Sequence, residues 1–472
     1  METTMQITKQ KEKKVALTTK QRTYKEVIAL LDSMWNAELL STNTKKITLL
    51  DKALGTPSKK VKAVFVGGSN GKSLTVNYAT QLLINEGLKV GSFYSPHFNT
   101  YNERIAHNNE SIVNTAFTEV ANEVINAAAS LNTDFHAQEL LTMMALTYFA
   151  EQKVDAAVLE ITDSNFDPAM ICNPIISGIT RITNYGEEAQ ASEIRQIVET
   201  YQSIIKKGCW VISADQNKAN LQTLQDLTEK NNGHWAMPIR KLTALKYPFE
   251  QLHGRCAALA ERIAQIFVQE IADPKNIILN ESLLAKPKGQ RGRPTLEAKR
   301  QSELNPKKTL EQFWQTTTTT ISNRFELIEE NKPTILLDNA NNIDAFQNLL
   351  LGIRLLNYER KFKGLVIIVG CENNDLLNTD FYKIIRYFFK KTTGQIVFCP
   401  ISHDAQSSNK DWNVEQITND IKNVKVKARS TTSFTQALDY AKKIVDEENG
   451  LIAITGSRAL IAEYWKNKGA KK

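Results

Sequence analysis

A chain of 472 residues with 42% hydrophobic and 23% charged residues is too long for one ordinary core, so two or three globular domains are expected. No uninterrupted apolar run reaches membrane-spanning length, so no transmembrane helix is expected and no membrane partner. The net charge of +8 hints at a nucleic-acid partner until it is located: residues 1–22 carry +4 and residues 285–308 carry +6, leaving the rest at −2.

The segment 1–22 lacks the apolar stretch and small-residue cleavage site of a secretory signal, and Glu2 and Glu12 argue against a transit peptide. It reads as a disordered basic leader. Cys172, Cys209, Cys256, Cys371 and Cys399 form no CxxC pair, which fits a reducing cytoplasm better than a disulfide framework or a zinc site.

Beyond the leader, Val27, Leu30, Leu31 and Trp35 mark one face of a helix. VKAVFV (61–66) reads as a strand, GGSNGK as a tight loop, SLTVNYATQLLINEG as a helix ending at Gly87, and VGSFYS as the next strand. Strand, glycine loop, helix and strand make a βαβ unit over a parallel sheet. The alternation continues through a helix at ELLTMMALTYFAEQ, strands at AAVLEI and ISGITRI, a helix around SEIRQIVETYQSIIKKG, a strand at CWVISA and a helix at GRCAALAERIAQIF. Between about 272 and 320 it dissolves into Lys/Pro/Gly-rich sequence and a run of threonines, the best linker candidate. It resumes with TILLDNAN, AFQNLLLGIRLL, GLVIIVG, FYKIIRYFF, QIVFCP, SFTQALDYAKKIV and LIAITG, a second and smaller α/β unit. The expected domains are therefore 1–22, 23–271, 272–320 and 321–472.

The strongest chemical feature is Gly67-Gly68-Ser69-Asn70-Gly71-Lys72-Ser73 between a strand and a helix. Its backbone amides suit a phosphate, Lys72 can reach the β- and γ-phosphates, and Ser73 can ligate Mg²⁺. Val66 stands where the strict pattern wants its first glycine, and a bare glycine turn is the competing reading.

This loop resembles the Gly-Thr-Asn-Gly-Lys variant of Mur ligases and folylpolyglutamate synthases. Six more segments in order are similar to that family's: Ser95-Pro96-His97 with Glu103-Arg104-Ile105, Glu139-Leu140-Leu141-Thr142, the strand ending in Glu160, Asn323-Arg324-Phe325-Glu326, Asp338-Asn339-Ala340-Asn341-Asn342, and Thr455-Gly456-Ser457. The resemblance implies a Mur-ligase-type P-loop ATPase domain with a parallel-rich sheet, plus a smaller Rossmann-like C-terminal α/β domain. It implies an ATP- and Mg²⁺-dependent amide-forming ligase, which activates a folate-type carboxylate as an acyl phosphate and joins it to glutamate. Carried over residue by residue, Gly68, Ser69, Asn70, Gly71, Lys72 and Ser73 would hold the nucleotide, with Arg324 and Asp338 completing its site. Ser73, Ser95 and Glu160 would ligate metal; Lys72, Glu160, Arg324 and Asp338 would be catalytic. A cytoplasmic monomer is implied.

The chain departs from the family after Glu160, where a glycine-rich stretch is replaced by Thr162-Asp163-Ser164-Asn165-Phe166-Asp167. An ungapped reading puts Gly186 in place of a metal-binding His and Tyr201 in place of a carbamylated Lys, while Asn341 replaces the His of the C-terminal motif and Cys256 an adenine-contacting Asn. Asp163 or Asp167 could supply oxygen ligands instead. A non-catalytic nucleotide-binding protein with a degenerate metal site is the alternative, and outside this context Glu160 reads as a strand-end carboxylate and Arg324 as a surface charge. Finally, Lys286 to Pro294 resembles a DNA minor-groove hook, although a solvated linker is the commoner meaning, and an anionic tail or RNA is an equal candidate partner. The pair Phe313-Trp314 suggests that this insert partly folds back onto the protein.

Overall fold

The computed structural model describes residues 20–35, 44–162, 167–183, 190–239, 250–273, 275, 282–284, 309–316, 321–330, 332–372, 378–402 and 412–469. Most of the leader, Asp163, Gly186 and the basic run 285–308 lie outside these residues. Among the described residues no helix is long and apolar enough to cross a membrane.

Two sheets organise the chain. The first contains β1 (Ala63–Gly67), β2 (Val90–Phe93), β3 (Ile105–His107), β4 (Glu110–Ser111), β5 (Ala156–Glu160), β6 (Ile176–Ile179), β7 (Trp210–Ser213) and β8 (His234–Ala236), in the order β4-β3-β2-β5-β1-β6-β7-β8. From β2 to β8 every pair is parallel, and the short β3 and β4 pair antiparallel at one edge. β1, β2, β5 and β6 are buried at every residue, as expected of parallel strands covered on both faces. The second sheet contains β9 (Glu326–Ile328), β10 (Thr334–Leu337), β11 (Leu365–Val369), β12 (Gln395–Phe398), β13 (Ala428–Ser430) and β14 (Leu451–Thr455), in the order β13-β12-β11-β14-β10-β9, with only β9 antiparallel. The mixed α/β class with two parallel-rich sheets is as the sequence implied.

The Lys72–Asn85 helix packs against the Glu250–Ile266 helix. Ala257, Ala260 and Ala264 are buried there, small residues that let two helices approach closely. Gly87 at φ 91° takes the left-handed conformation that ends the first of these helices. At the other end of the chain's first lobe, Arg22 is bonded through its backbone N to Asn122 Oδ1 (2.8 Å) and through Nη1 to Asn126 Oδ1 (2.8 Å), so the end of the expected leader is tied to the Asn114–Ser130 helix.

The expected fold-back of the insert is visible in the Leu310–Thr316 helix. Trp314 is 1% exposed, packs edge-on to Tyr78 at 5.2 Å and donates its indole N–H to Glu261 Oε1 at 2.9 Å. Removing a buried indole leaves a large cavity and takes one hydrogen bond from the Glu261 carboxylate. Trp314→Ala is therefore expected to cost the first lobe about 3–5 kcal/mol, measured as a lowered urea midpoint.

Candidate functional site

The site is built from strand ends. β1 and β5 are paired with Val66 opposite Glu160, and β2 and β5 with Phe93 opposite Leu159. Register alone thus brings the loop after β1, the carboxylate ending β5 and Ser95 after β2 to one carboxyl edge, the edge where open parallel sheets bind ligands.

In the loop, Gly68 has φ 117°, and a Cβ there would lie 2.1 Å from Thr180 Oγ1 and 2.9 Å from the Arg181 carbonyl. Gly71 has φ 86°, and a Cβ there would meet Cys256 Sγ at 2.6 Å. Only glycine fits either position. Ser69 Oγ accepts the Thr183 N–H at 2.8 Å, which ties the loop to the segment after β6. Lys72 Nζ donates to the carbonyls of Gly68 (2.7 Å) and Ser69 (3.1 Å), so the ammonium stands over its own loop.

Ser73 Oγ donates to Glu160 Oε2 at 2.9 Å, and the backbone N of Ser95 lies 3.4 Å from the same oxygen. Glu160 is 4% exposed, and burial pushes its carboxyl pKa up while the nearby Lys72 and Arg324 pull it back. The donor set is two hydroxyls and one carboxylate, all hard oxygens, with a glycine cradle beside it. Those residues fit a small hard cation such as Mg²⁺. Among the described residues there is no group of three or more His, Cys, Asp or Glu that could hold a metal. Tyr201 does not stand in for a metal ligand: it is 2% exposed and packs under the backbone of Gly67, as a core residue. Asp167 begins the short Asp167–Ile171 helix.

The second lobe completes the site. β9 and β10 pair with Glu326 opposite Leu337, which sets the Asn323–Phe325 turn beside Asp338. Asn323 and Phe325 both have positive φ, at 63° and 47°, and Asp338 Oδ2 accepts the Phe325 N–H at 2.9 Å. The turn presents Arg324, whose Nη2 reaches Ser73 Oγ at 3.4 Å and whose guanidinium lies 4.8 Å over the Phe98 ring. Arg324 Nη1 is buried without a hydrogen-bond partner, a donor suited to an anionic group. Burial pushes the Asp338 carboxyl pKa up to about 6, with Arg324 opposing.

All ten residues singled out in the sequence therefore fall in one region, with Asp338 behind Arg324 rather than facing the loop. Two arrangements were not foreseen. Asn70 Nδ2 donates to Asp344 Oδ2 (2.7 Å) and Asn342 Oδ1 (3.1 Å), Asn342 Nδ2 donates back to Asn70 Oδ1 (3.1 Å), and Arg181 pairs with Asp344 at 3.0 Å. The loop is thereby bonded to the cap of the Ile343–Glu359 helix in the other lobe. Arg104, fully buried, donates from Nε to His97 Nδ1 (2.8 Å) and from Nη1 to Gln138 Oε1 (2.7 Å) and Ser95 Oγ (3.2 Å). Burial lowers its pKa to about 9, which still leaves it cationic at neutral pH and close to Glu160. Glu103-Arg104-Ile105 signalled its importance without its partners. Cys256 lies beneath Gly71, its thiol pKa pushed up to about 11 by burial, and Asn341 is exposed.

Residues 323–458 match the family described as Mur ligase, glutamate ligase domain. The dihydrofolate synthase/folylpolyglutamate synthase of Bacillus subtilis is 30% identical over 214 residues, 44% of this chain and 46% of that protein. The folylpolyglutamate synthase of Lacticaseibacillus casei is 28% identical over 198 residues, 41% of this chain and 46% of that protein. These matches span under half the length of the curated relatives. Among solved structures, the Mycobacterium tuberculosis folylpolyglutamate synthase complexed with ADP superposes with a TM-score of 0.71 at 18% identity, covering 95% of this chain and 98% of that one. The bifunctional folylpolyglutamate synthase/dihydrofolate synthase of Yersinia pestis, complexed with AMPPNP and Mn, gives a TM-score of 0.68 at 16% identity, covering 96% and 100%. The two-lobed arrangement is thus the Mur-ligase fold.

Proposed function

We propose that the chain is a member of the folylpolyglutamate synthase/dihydrofolate synthase family of Mur ligases, a cytoplasmic ATP-dependent ligase joining glutamate to a folate-type carboxylate. The observation that carries this reading is the meeting of Lys72, Ser73 and Glu160 from one lobe with Arg324 from the other, one of whose donors has no protein partner. The glycine loop amides and Lys72 bind the triphosphate, and the unpaired face of Arg324 receives the phosphoryl group in transit. An oxygen of the acceptor carboxylate attacks the γ-phosphorus and ADP leaves. The glutamate amine then attacks the acyl carbon, inorganic phosphate departs and the amine proton passes to solvent. Ser73, Ser95 and Glu160 would hold Mg²⁺, which supplies charge neutralisation on the transferring phosphoryl oxygens. Arg104 fixes the Ser95 hydroxyl and adds a buried positive charge behind it.

The test is phosphate release from ATP by the purified protein, with and without Mg²⁺, tetrahydrofolate and glutamate. Turnover that needs both organic substrates supports the ligase. Nucleotide binding with no turnover on any acceptor acid would leave a nucleotide-binding protein instead.

Asp338 gives this activity a pH signature. Its carboxyl, raised by burial to about 6, must be ionised to hold the Phe325 N–H as a charged acceptor and to balance Arg324. With saturating Mg²⁺ keeping Glu160 ionised, phosphate release is expected to rise with pH through about 6. Asp338→Asn, neutral at every pH, should be slower by about tenfold or more and lack this acid limb. A pH–rate profile of both proteins decides it.

A further inference from the structure

The second sheet collects lysines at the edge opposite Asp338. β13, β12 and β11 are adjacent and parallel, so the turns that enter them lie side by side on the amino edge. A Cβ on Gly394 would lie 2.8 Å from the Leu365 carbonyl, and the Ile396 N–H donates to the Lys427 carbonyl at 3.0 Å, so the three turns pack in one row. At the spacing of paired strands that row is about 10 Å across. Residues 360–364, 389–394 and 421–427 hold eight Lys or Arg and no Asp or Glu, in a chain whose charge outside residues 1–22 and 285–308 is −2. Arg360 is paired with Glu329. The seven lysines are exposed, and among the described residues none has a carboxylate at ion-pair distance. Helix C-termini favour cations, which accounts for Lys390, Lys391 and Lys422 in the last turns of the Thr379–Lys391 and Val414–Asn423 helices. It does not account for Lys361, Lys363 and Lys427, which stand beyond the helix ends, nor for Lys425, held at φ 64° where glycine is favoured. Asp446, in the turn entering β14, stands near Lys363 and marks where the row turns acidic.

Two exposed rings flank the lysines, Tyr358 at 79% and Tyr387 at 55% exposure. Lys391 Nζ donates to the Tyr387 hydroxyl at 3.1 Å and lies 4.9 Å from its ring centre. With Arg354, one turn before Tyr358 on the neighbouring helix, it holds that phenol below its ordinary pKa. Lysines alone would suit any polyanion. Exposed rings among them suit one whose bases are free to stack, because ammonium groups take phosphates one by one while ring faces take bases. A duplex keeps its base faces covered, and an anionic lipid surface has none. We infer that the amino edge of the second sheet, from β11 to β13, binds single-stranded nucleic acid, with the lysines on its phosphates and Tyr358 and Tyr387 against its bases. β11 alone is about 13 Å long, which separates this row from the carboxyl edge, so the assignment stands apart from the ligase reading.

The experiment is fluorescence anisotropy of the full chain with a labelled oligoadenylate of about twelve nucleotides, titrated across a salt series. The native protein is expected to bind, with an affinity that falls steeply as salt rises. A protein carrying Lys390→Gln, Lys391→Gln and Lys425→Gln together should bind at least tenfold more weakly. Its log–log salt slope should be shallower by about 2, the share of three phosphates on a single strand. Tyr387→Ala should bind about tenfold more weakly with the slope unchanged, and Tyr387→Phe, which keeps the ring, should match the native protein. All these side chains are exposed, so melting temperatures equal to the native one serve as the check that each variant is folded. The inference is overturned by a native protein that fails to bind at low salt, or by a triple variant of unchanged affinity, which would move the binding to residues 285–308. It is equally overturned by a duplex of the same length bound as tightly as the single strand, or by vesicles containing phosphatidylserine that need the three lysines when the oligonucleotide does not.

Discussion

Lys72→Ala is expected to reduce ATP-dependent phosphate release by about 10³-fold, equivalent to about 4 kcal/mol of transition-state stabilisation, while leaving the fold intact. The ammonium is held over the loop by the Gly68 and Ser69 carbonyls at 2.7 and 3.1 Å, close to Glu160 and Ser73. A phosphate entering the loop would meet it at once, so its charge acts on the transferring group and little on the resting structure. The loop's shape rests on Gly68 and Gly71, whose close neighbours Thr180 and Cys256 are untouched by the change. Lys72→Arg should rescue poorly, because a planar fork does not reproduce a compact point charge in so tight a turn. Phosphate release and the thermal melt of all three proteins check this; a Lys72→Ala protein within tenfold of the native rate would remove the loop from the chemistry.

The parts of this molecule legible in its sequence are those encoded locally. Short, β-branched apolar runs such as Ala63–Gly67 and Leu365–Val369 suit covered parallel strands, and the glycine loop lies between a strand and a helix as its spacing required. The Asn114–Ser130 helix was silent because Asn, Thr and Ala dilute its apolar stripe, and its burial comes from packing against Tyr24–Trp35 and Ala137–Glu151. The candidate site residues were singled out by motif, yet their arrangement was not. The bond from Asn70 to Asn342 and Asp344 joins positions more than 270 residues apart, and nothing near either asparagine announces it. Tyr201, which stands where the family's metal-holding Lys would be, packs under Gly67 as core, so the departure from the family pattern is structural as well as chemical. Side chains that act through tertiary contact become visible only once strand register is known, as when Val66 opposite Glu160 brings that carboxylate to the loop.

Glu160→Gln tests the same register from the metal side and should separate catalysis from stability. The carboxylate is buried, and its raised pKa means that its charged form is disfavoured in the fold. Stability gained from such a group is fully present below its unfolded pKa and is lost as pH rises through the folded one, so ionising Glu160 with no metal beside it weakens the protein. The isosteric amide keeps an oxygen to accept from Ser73 Oγ, now 2.9 Å away, and removes that charge. Its cost is a lost partner for Arg324, which retains Asp338 nearby. The melting temperature in EDTA should therefore hold steady or rise. Mg²⁺ binding should move in the opposite direction, because a neutral amide cannot replace the one carboxylate in a set otherwise made of hydroxyls. Half-activation by Mg²⁺ is expected to need about 100-fold more metal, and turnover at saturation to fall about 10²–10³-fold. Activation curves and melts in EDTA and in Mg²⁺ measure both effects. An unchanged Mg²⁺ requirement together with a lowered melt would mean that the Ser73–Glu160 bond serves the fold and the metal is held elsewhere.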